Sequence, residues 1–303
     1  MSSIEVVDTR QFGRPDIGCA YLISGRTRAL VDAGPASSVD LVAAAITSAP
    51  VESLLLTHVH PDHAGAAGGL AARFDRLRVF VHTRGRRHLV DPSALNASIR
   101  EWTGPLGPHY GDVLPVPAQQ IVTLIGGEEI DLGKGASLEA IDTPGHAPHH
   151  LCYFERSEGA LFCGDALGIR RGDLLIPATV PPSFDLERSL ATARALAEYR
   201  PRHVYYSHFG RRDGSPRLFG EYARALVEWV ETIAALRRRK PDAQIIRTLA
   251  ADPRYRSLED TLRQEFEMCV RGALHSLGSR ANPVGGHGSE TPGPARSPTD
   301  GVS

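Results

Sequence analysis

Apolar positions in the first two thirds of the chain come in short runs cut by Gly, Pro and Asp, the pattern of buried strands. Ile4 to Val7, Cys19 to Ile23 and Arg28 to Asp32 read as strands. Gly34-Pro35 ends the third, Ser37 or Ser38 caps a helix with Val39, Val42, Ala43 and Ile46 on one face, and Pro50 closes it. Val51 to Thr57 is a compact apolar strand that delivers the chain into His58-Val59-His60-Pro61-Asp62-His63. A small-residue helix over Ala64 to Phe74, a strand over Arg78 to His82 and a helix over Arg84 to Val90 follow. Trp102 to Pro117, rich in Gly and Pro, reads as a long loop beside the site. Strands resume at Ile121 to Leu124, Leu138 to Asp142, Leu151 to Phe154 and Ala160 to Cys163. Leu167 to Ser183 reads as irregular. Asp185 starts a helix with Leu186, Leu190, Ala193 and Leu196 inward, and Val204 to Ser207 is a last short strand. After Ser215 the pattern turns helical, with one helix to about Lys240, a short one near Ile245 and one from Leu258 to about Leu274.

This predicts an α/β domain over residues 1–213, a helical extension over 214–277 packed on it, and a disordered tail over 278–303, rich in Gly, Pro, Ser and Thr. A chain of 303 residues with 42% hydrophobic and 23% charged residues can bury a sizeable core unaided. The formal net charge of −1 gives no field favouring nucleic acid or anionic membranes. Basic runs at Arg84, Arg86 and Arg87 and at Arg237 to Lys240 change this little, since the second sits where cations suit a helix C-terminus. Cys19, Cys152, Cys163 and Cys269 form no CxxC pair and read as reduced, buried thiols. No apolar run reaches membrane length and no leader pattern opens the chain, so a cytoplasmic location is the expectation.

The chemistry concentrates in Thr57-His-Val-His-Pro-Asp-His-Ala-Gly65. Borderline metals such as zinc prefer imidazole nitrogens with some carboxylate oxygens. His58 and His60, two apart in an extended segment, can point one way, while Asp62 and His63 on the following turn address a neighbouring point. His146 in Asp142-Thr-Pro-Gly-His, Asp165 in Phe162-Cys-Gly-Asp and His208 after Val204 to Ser207 each follow a strand end, where α/β folds place their chemistry. The predicted first site is His58, His60 and His146; the second is Asp62, His63 and His208; Asp165 bridges both. The remaining histidines, His149 and His150 among them, are read as structural.

The order HxHxDH, TPGH, GD and a late His resembles the metallo-β-lactamase fold superfamily, and within it the glyoxalase II-like branch, over about Val6 to Phe209. The resemblance implies a four-layer αββα sandwich, here with extra C-terminal helices. It also implies two divalent ions, zinc first and iron or manganese as alternatives, and hydrolysis of an ester-type bond in a small molecule. Two cations about 3.5–4 Å apart can share one water and lower its pKa, so the expected attack is by a bridging hydroxide. Asp62 is the expected proton relay, and Asp62 and Asp165 are the expected catalytic residues. Thr57 and Asp142 are expected to orient ligand imidazoles. The rival readings are a mononuclear iron sulfur-oxygenase of the same fold and a phosphodiesterase or nuclease. Trp102, His109, Tyr110, Leu167, Ile169 and Phe184 are the expected pocket walls, with Arg170 and Arg171 for a carboxylate or phosphate. The C-terminal helices are expected either to wall the pocket or to form a homodimer contact.

Overall fold

The computed structural model describes residues 3–47, 51–104, 107–133, 135–256, 258 and 260–281. Two six-stranded sheets form in succession along the chain. The first contains β1 (Ser3–Asp8), β2 (Cys19–Ser24), β3 (Arg28–Val31), β4 (Val51–Leu55), β5 (Arg78–His82) and β6 (Ile121–Leu124), in that spatial order. The second contains β7 (Glu129–Gly133), β8 (Ala136–Asp142), β9 (Leu151–Glu155), β10 (Ala160–Phe162), β13 (His203–Tyr205) and β14 (Arg211–Asp213). Its order is β14-β13-β10-β9-β8-β7, and β11 (Ile169–Arg171) and β12 (Leu174–Ile176) form a separate hairpin.

The strands are apolar on both faces because each sheet is covered twice. In β2, Tyr21 and Ile23 enter an inner core while Ala20 and Leu22 enter an outer one. Leu55 of β4, Phe80 of β5, Tyr153 of β9, Phe162 of β10 and Tyr205 of β13 continue the inner core, which lies between the sheets. Leu54, Val79, Val81, Cys152, Phe154, Leu161 and Val204 turn outward. This period-2 alternation over buried positions is what a sheet sandwiched between a second sheet and helices requires.

The outer layers are helical. On the first sheet, α1 (Val39–Thr47) buries Val42, Ala43 and Ile46, and α3 (Ala67–Arg73) buries Leu70 and Ala71. A single turn, α2 (Pro61–Ala64), precedes α3, with Pro61 at its start, where a missing N–H costs nothing. The crossover to β6 carries α4 (Arg86–Val90), α5 (Ser93–Trp102) and α6 (Gly107–Tyr110). On the second sheet lie α7 (Leu186–Glu198), capped by the Asp185 carboxylate on the Arg188 N–H, and α8 (Pro216–Arg237), capped by Ser215. Then come α9 (Asp242–Ala250) and α10 (Asp260–Ala281). The architecture is the four-layer αββα sandwich with extra C-terminal helices. Trp229 of α8 packs edge-on against Tyr255 and against Phe266 of α10, at 5.8 and 5.4 Å between ring centroids.

Several local expectations are corrected. The loop over 102–117 contains α6, and α5 precedes it. Within the stretch 167–183 expected to be irregular, residues 169–176 fold back as the β11–β12 hairpin around Gly172, while 177–183 carry no strand or helix. The helical pattern does not stop at Gly278: α10 continues to Ala281, and the Arg237 guanidinium at the end of α8 donates to Leu274 O, tying the two helices there. Residues 282–303 of the predicted tail lie outside the described residues. No helix among the described residues is long and apolar enough to cross a membrane.

Candidate metal centre

All the predicted ligand segments leave the carboxyl ends of strands that run the same way. β3 and β4 are parallel, β10 and β13 are parallel, and β8 aligns with β10 through the antiparallel β9 between them. The two sheets are stitched at this edge by Leu151 N–H to Thr57 O (2.7 Å), Cys19 N–H to Ser207 O (2.8 Å) and the Tyr153 hydroxyl to Leu56 O (2.8 Å). The segments after β4, β8, β10 and β13 therefore meet.

His58, His60 and His146 form one cluster. His58 Nε2 and His60 Nδ1 are 2.9 Å apart, His146 Nε2 and His60 Nδ1 2.9 Å, and His146 Nε2 and His58 Nε2 3.2 Å. Two tautomers follow from the outer bonds. His146 Nδ1 lies 2.7 Å from Ala178 O, so it carries the proton and Nε2 keeps its lone pair. Thr57 Oγ1 lies 3.0 Å from both Asp32 carboxylate oxygens and must donate there, so it accepts from His58 Nδ1–H. The nitrogens thus converge as lone pairs at nearly the edge length, roughly 3.3 Å, of a tetrahedral zinc site with 2.0–2.1 Å bonds. Burial, then the neighbouring imidazoles, hold His58 and His60 well below the usual histidine range, so they are neutral donors.

Asp62, His63 and His208 form the second cluster. His208 Nε2 is 3.4 Å from Asp62 Oδ2, and His63 Nε2 is 3.6 Å from the same oxygen. Asp165 stands between the clusters. Its Oδ1 is 3.4 Å from both His63 Nε2 and His208 Nε2, and its Oδ2 is 3.5 Å from His146 Nε2. His63 Nε2 and Asp165 Oδ1 are buried without a hydrogen-bond partner, although both face this point. A buried orphan pair of donor atoms costs free energy unless something fills the gap, and a divalent cation fits. Burial pushes His63 and His208 down, but the carboxylates win, Asp165 foremost, and raise both. Burial pushes Asp165 up, yet His208, His63 and His146 hold it well below the carboxylate range.

Asp32 was missed in the sequence, where it looks like the last residue of a strand. It is buried and accepts from Thr57 N–H (2.8 Å), the Thr57 hydroxyl, the Ser207 hydroxyl (2.8 Å) and His63 Nδ1 (2.9 Å). His150, read as structural, is also drawn in: its Nε2 accepts from the Asp165 N–H at 3.2 Å and its Nδ1 meets the Thr143 hydroxyl at 2.8 Å. Gly164 allows this approach, because a Cβ there would lie 2.6 Å from His150 Nε2 and 2.9 Å from Thr57 Cβ. Asp142 does not orient a ligand imidazole. It turns outward and sits 3.6 Å from His82, because it is the last residue of β8 on the solvent side.

Residues 13–208 match the metallo-beta-lactamase superfamily. The chain belongs to that superfamily. It is 28% identical over 218 residues to the metallo-beta-lactamase fold-containing protein ST1585 of Sulfurisphaera tokodaii, covering 70% of this chain and 80% of that one. The crystal structure of ST1585 superposes with a TM-score of 0.70 at 23% identity, covering 90% of this chain and 98% of that chain. A hydroxyacylglutathione hydrolase of Aeromonas hydrophila is 31% identical over 138 residues, covering 46% of this chain and 41% of its own. The thioesterase pkgB of Emericella nidulans is 29% identical over 152 residues, covering 48% of this chain and 34% of its own.

In this superfamily member the two clusters open onto a cleft of about 340 Å³ whose walls are mainly apolar. Of the predicted walls, Tyr110 and Ile169 line it. Leu167 and Phe184 do not line it and are buried in the outer core instead. His109 is exposed, its ring set edge-on to Phe12 at 6.3 Å. The Trp102 side chain lies outside the described residues. Arg170 pairs with Glu221 at 3.6 Å and covers the Tyr206 ring, while Arg171 donates to His208 O and Ile17 O. Both arginines are thus occupied, and Arg171 pins the His208 loop rather than a substrate. Further walls come from α5, through Leu95 and Ile99, which was not foreseen, and from α10, through Glu265, Met268 and Cys269. Of the C-terminal helices, α10 lines the pocket.

Proposed function

We propose that the protein is a metal-dependent hydrolase that cleaves an ester-type bond (thioester, ester or lactone) in a small molecule, using two divalent ions. The observation that carries this reading is the placement of Asp165, one oxygen toward His146 and the other, orphaned, toward His63 and His208. His58, His60 and His146 would hold the first ion, Asp62, His63 and His208 the second, and Asp165 would touch both. A pair of such ions supplies Lewis acidity and a water of lowered pKa. The chain supplies the rest. Asp32, Thr57 and Ala178 O hold the outer nitrogens of His63, His58 and His146, which fixes the orientation of three of the five imidazoles. Asp62, with its side chain 15% exposed against 6% for Asp165, is the carboxylate that can exchange a proton with the cleft. The apolar walls exclude water from a bound acyl chain.

The thioesterase and hydroxyacylglutathione hydrolase relatives favour a thioester, and zinc suits a donor set dominated by imidazole. Elemental analysis of protein purified without chelator should give two divalent ions per chain, with turnover on a panel of thioesters, esters and lactones. One iron per chain with oxygen consumption on sulfur substrates would overturn the proposal. Asp165→Ala should lose metal and activity together; a variant with full metal and normal turnover would refute the bridging role.

A further inference from the structure

The cleft does not end at the ligand clusters. Arg87, His88, His149 and Ser183 line it and also line an adjoining pocket of about 350 Å³, whose further walls include Arg84 and Pro148. The main cleft carries Asp62, Asp165 and Glu265, whereas no acidic residue lines the adjoining pocket. The basic run Arg84 to Arg87 thus stands beside the candidate centre.

We propose that this adjoining pocket binds an anionic group, a carboxylate or a phosphate, borne by the substrate; that last step rests on the hydrolase reading. Arg84 and Arg87 form no ion pair with any carboxylate among the described residues. Arg84 Nη1 donates to Pro148 O at 3.1 Å, and Arg87 Nε donates to His88 Nε2 at 3.2 Å. Each guanidinium has five N–H groups, so most donors on both remain for a ligand, in the fork geometry that suits a carboxylate or phosphate. His149 supplies the second, independent sign. It is 9% exposed, and its Nδ1 is buried with no hydrogen-bond partner. Its ring stands 6.0 Å from that of His60 and 6.2 Å from that of His88, between the ligand cluster and the basic pocket. A substrate spanning both would place its scissile bond at the imidazoles and its charge on the arginines.

The test is equilibrium binding to the metal-loaded full chain by calorimetry, with three probes that share an apolar body: 4-phenylbutyrate, 4-phenylbutyramide and 3-phenylpropylphosphonate. The wild type should bind an anion roughly tenfold more tightly than the amide, the size expected for one charge-assisted pair. The exposed double substitution Arg84→Gln/Arg87→Gln should erase that preference. The tighter of the two anions in the wild type identifies carboxylate or phosphate as the group served. Equal affinity for anion and amide in the wild type would overturn the proposal. So would a preference that survives in the double variant, since the anion would then sit at the ligand clusters. These readouts are affinities, so failure of the ester panel would sink the hydrolase reading alone, and the absence of an anion preference in the wild type would sink this one alone.

Discussion

Asp32→Asn isolates one hydrogen bond in the centre. The residue sits at φ 61°, a left-handed conformation that Asn also tolerates, so the backbone has no reason to move. An amide can keep its oxygen at the Oδ1 position, where it still accepts from Thr57 N–H at 2.8 Å. Its NH2 then occupies the Oδ2 position, 2.9 Å from His63 Nδ1 and 2.8 Å from the Ser207 hydroxyl. The hydroxyl can rotate to accept. The imidazole can adapt only by moving its proton from Nδ1 to Nε2, the atom that faces Asp165 and Asp62. A hydrogen bond to a charged group contributes about 1.5–3 kcal/mol, which converts to roughly ten- to hundredfold in metal affinity. The loss should fall on the Asp62, His63 and His208 cluster, because His58 still has Thr57 Oγ1 at 3.0 Å. Competition with a chromophoric chelator, titrated so that two ions are resolved, reads both constants. Two affinities within twofold of the wild type, in a variant that melts normally, would refute the tautomer argument.

Other perturbations test separate parts of the structure. Burial, and then Asp62, push the Glu265 carboxyl up to about 7 in the metal-free protein, against an ordinary value of 4.5. A raised folded-state pKa means the contribution to stability is fully present below the unfolded value and is lost as pH rises through 7. Glu265→Gln in chelated protein should therefore melt like the wild type near pH 4.5 and be more stable by up to about 3 kcal/mol at pH 8, with Gln11 still donating at that position. A difference that does not vary with pH would contradict this. Gly272 of α10 faces the backbone of Thr179 to Pro181, where a Cβ would lie 1.9 Å from Thr179 O. Gly272→Ala should lower stability by about 2 kcal/mol or more and loosen the cleft wall formed by Cys269, and an unchanged denaturation midpoint would show that α10 has room to shift.

The sandwich was legible because strands buried on both faces leave unbroken apolar runs, as in Leu54 to Leu56 and Leu151 to Phe154. The clustering of these seven residues was legible because only Pro61 separates Asp62 and His63 from His60 and because His146, Asp165 and His208 each follow a strand end. What stayed hidden depends on contacts distant in sequence. Helix α5 shows two apolar residues one turn apart, Leu95 and Ile99, which enter the outer core, and nothing in that spacing says that they also reach the cleft. Glu265 looks like any helical glutamate until α10 packs and buries it. Arg170 and Arg171 sit on a three-residue strand, too short to announce which way each side chain points. Asp32 is one more aspartate after a strand, and its four donors come from segments as far away as Ser207.

The two sheets are built from consecutive halves of the chain, and the candidate centre is divided between them. His58, His60, Asp62 and His63 come from the first half, and His146, Asp165 and His208 from the second. Ions seated there would act as rivets through a seam, gripping each half by different side chains. Occupancy and docking of the halves would then be one equilibrium: at a free ion concentration a hundred times the dissociation constant, each rivet adds about 2.7 kcal/mol against separation. A chelator would act on the seam first, loosening the two halves against each other before either sheet unravels.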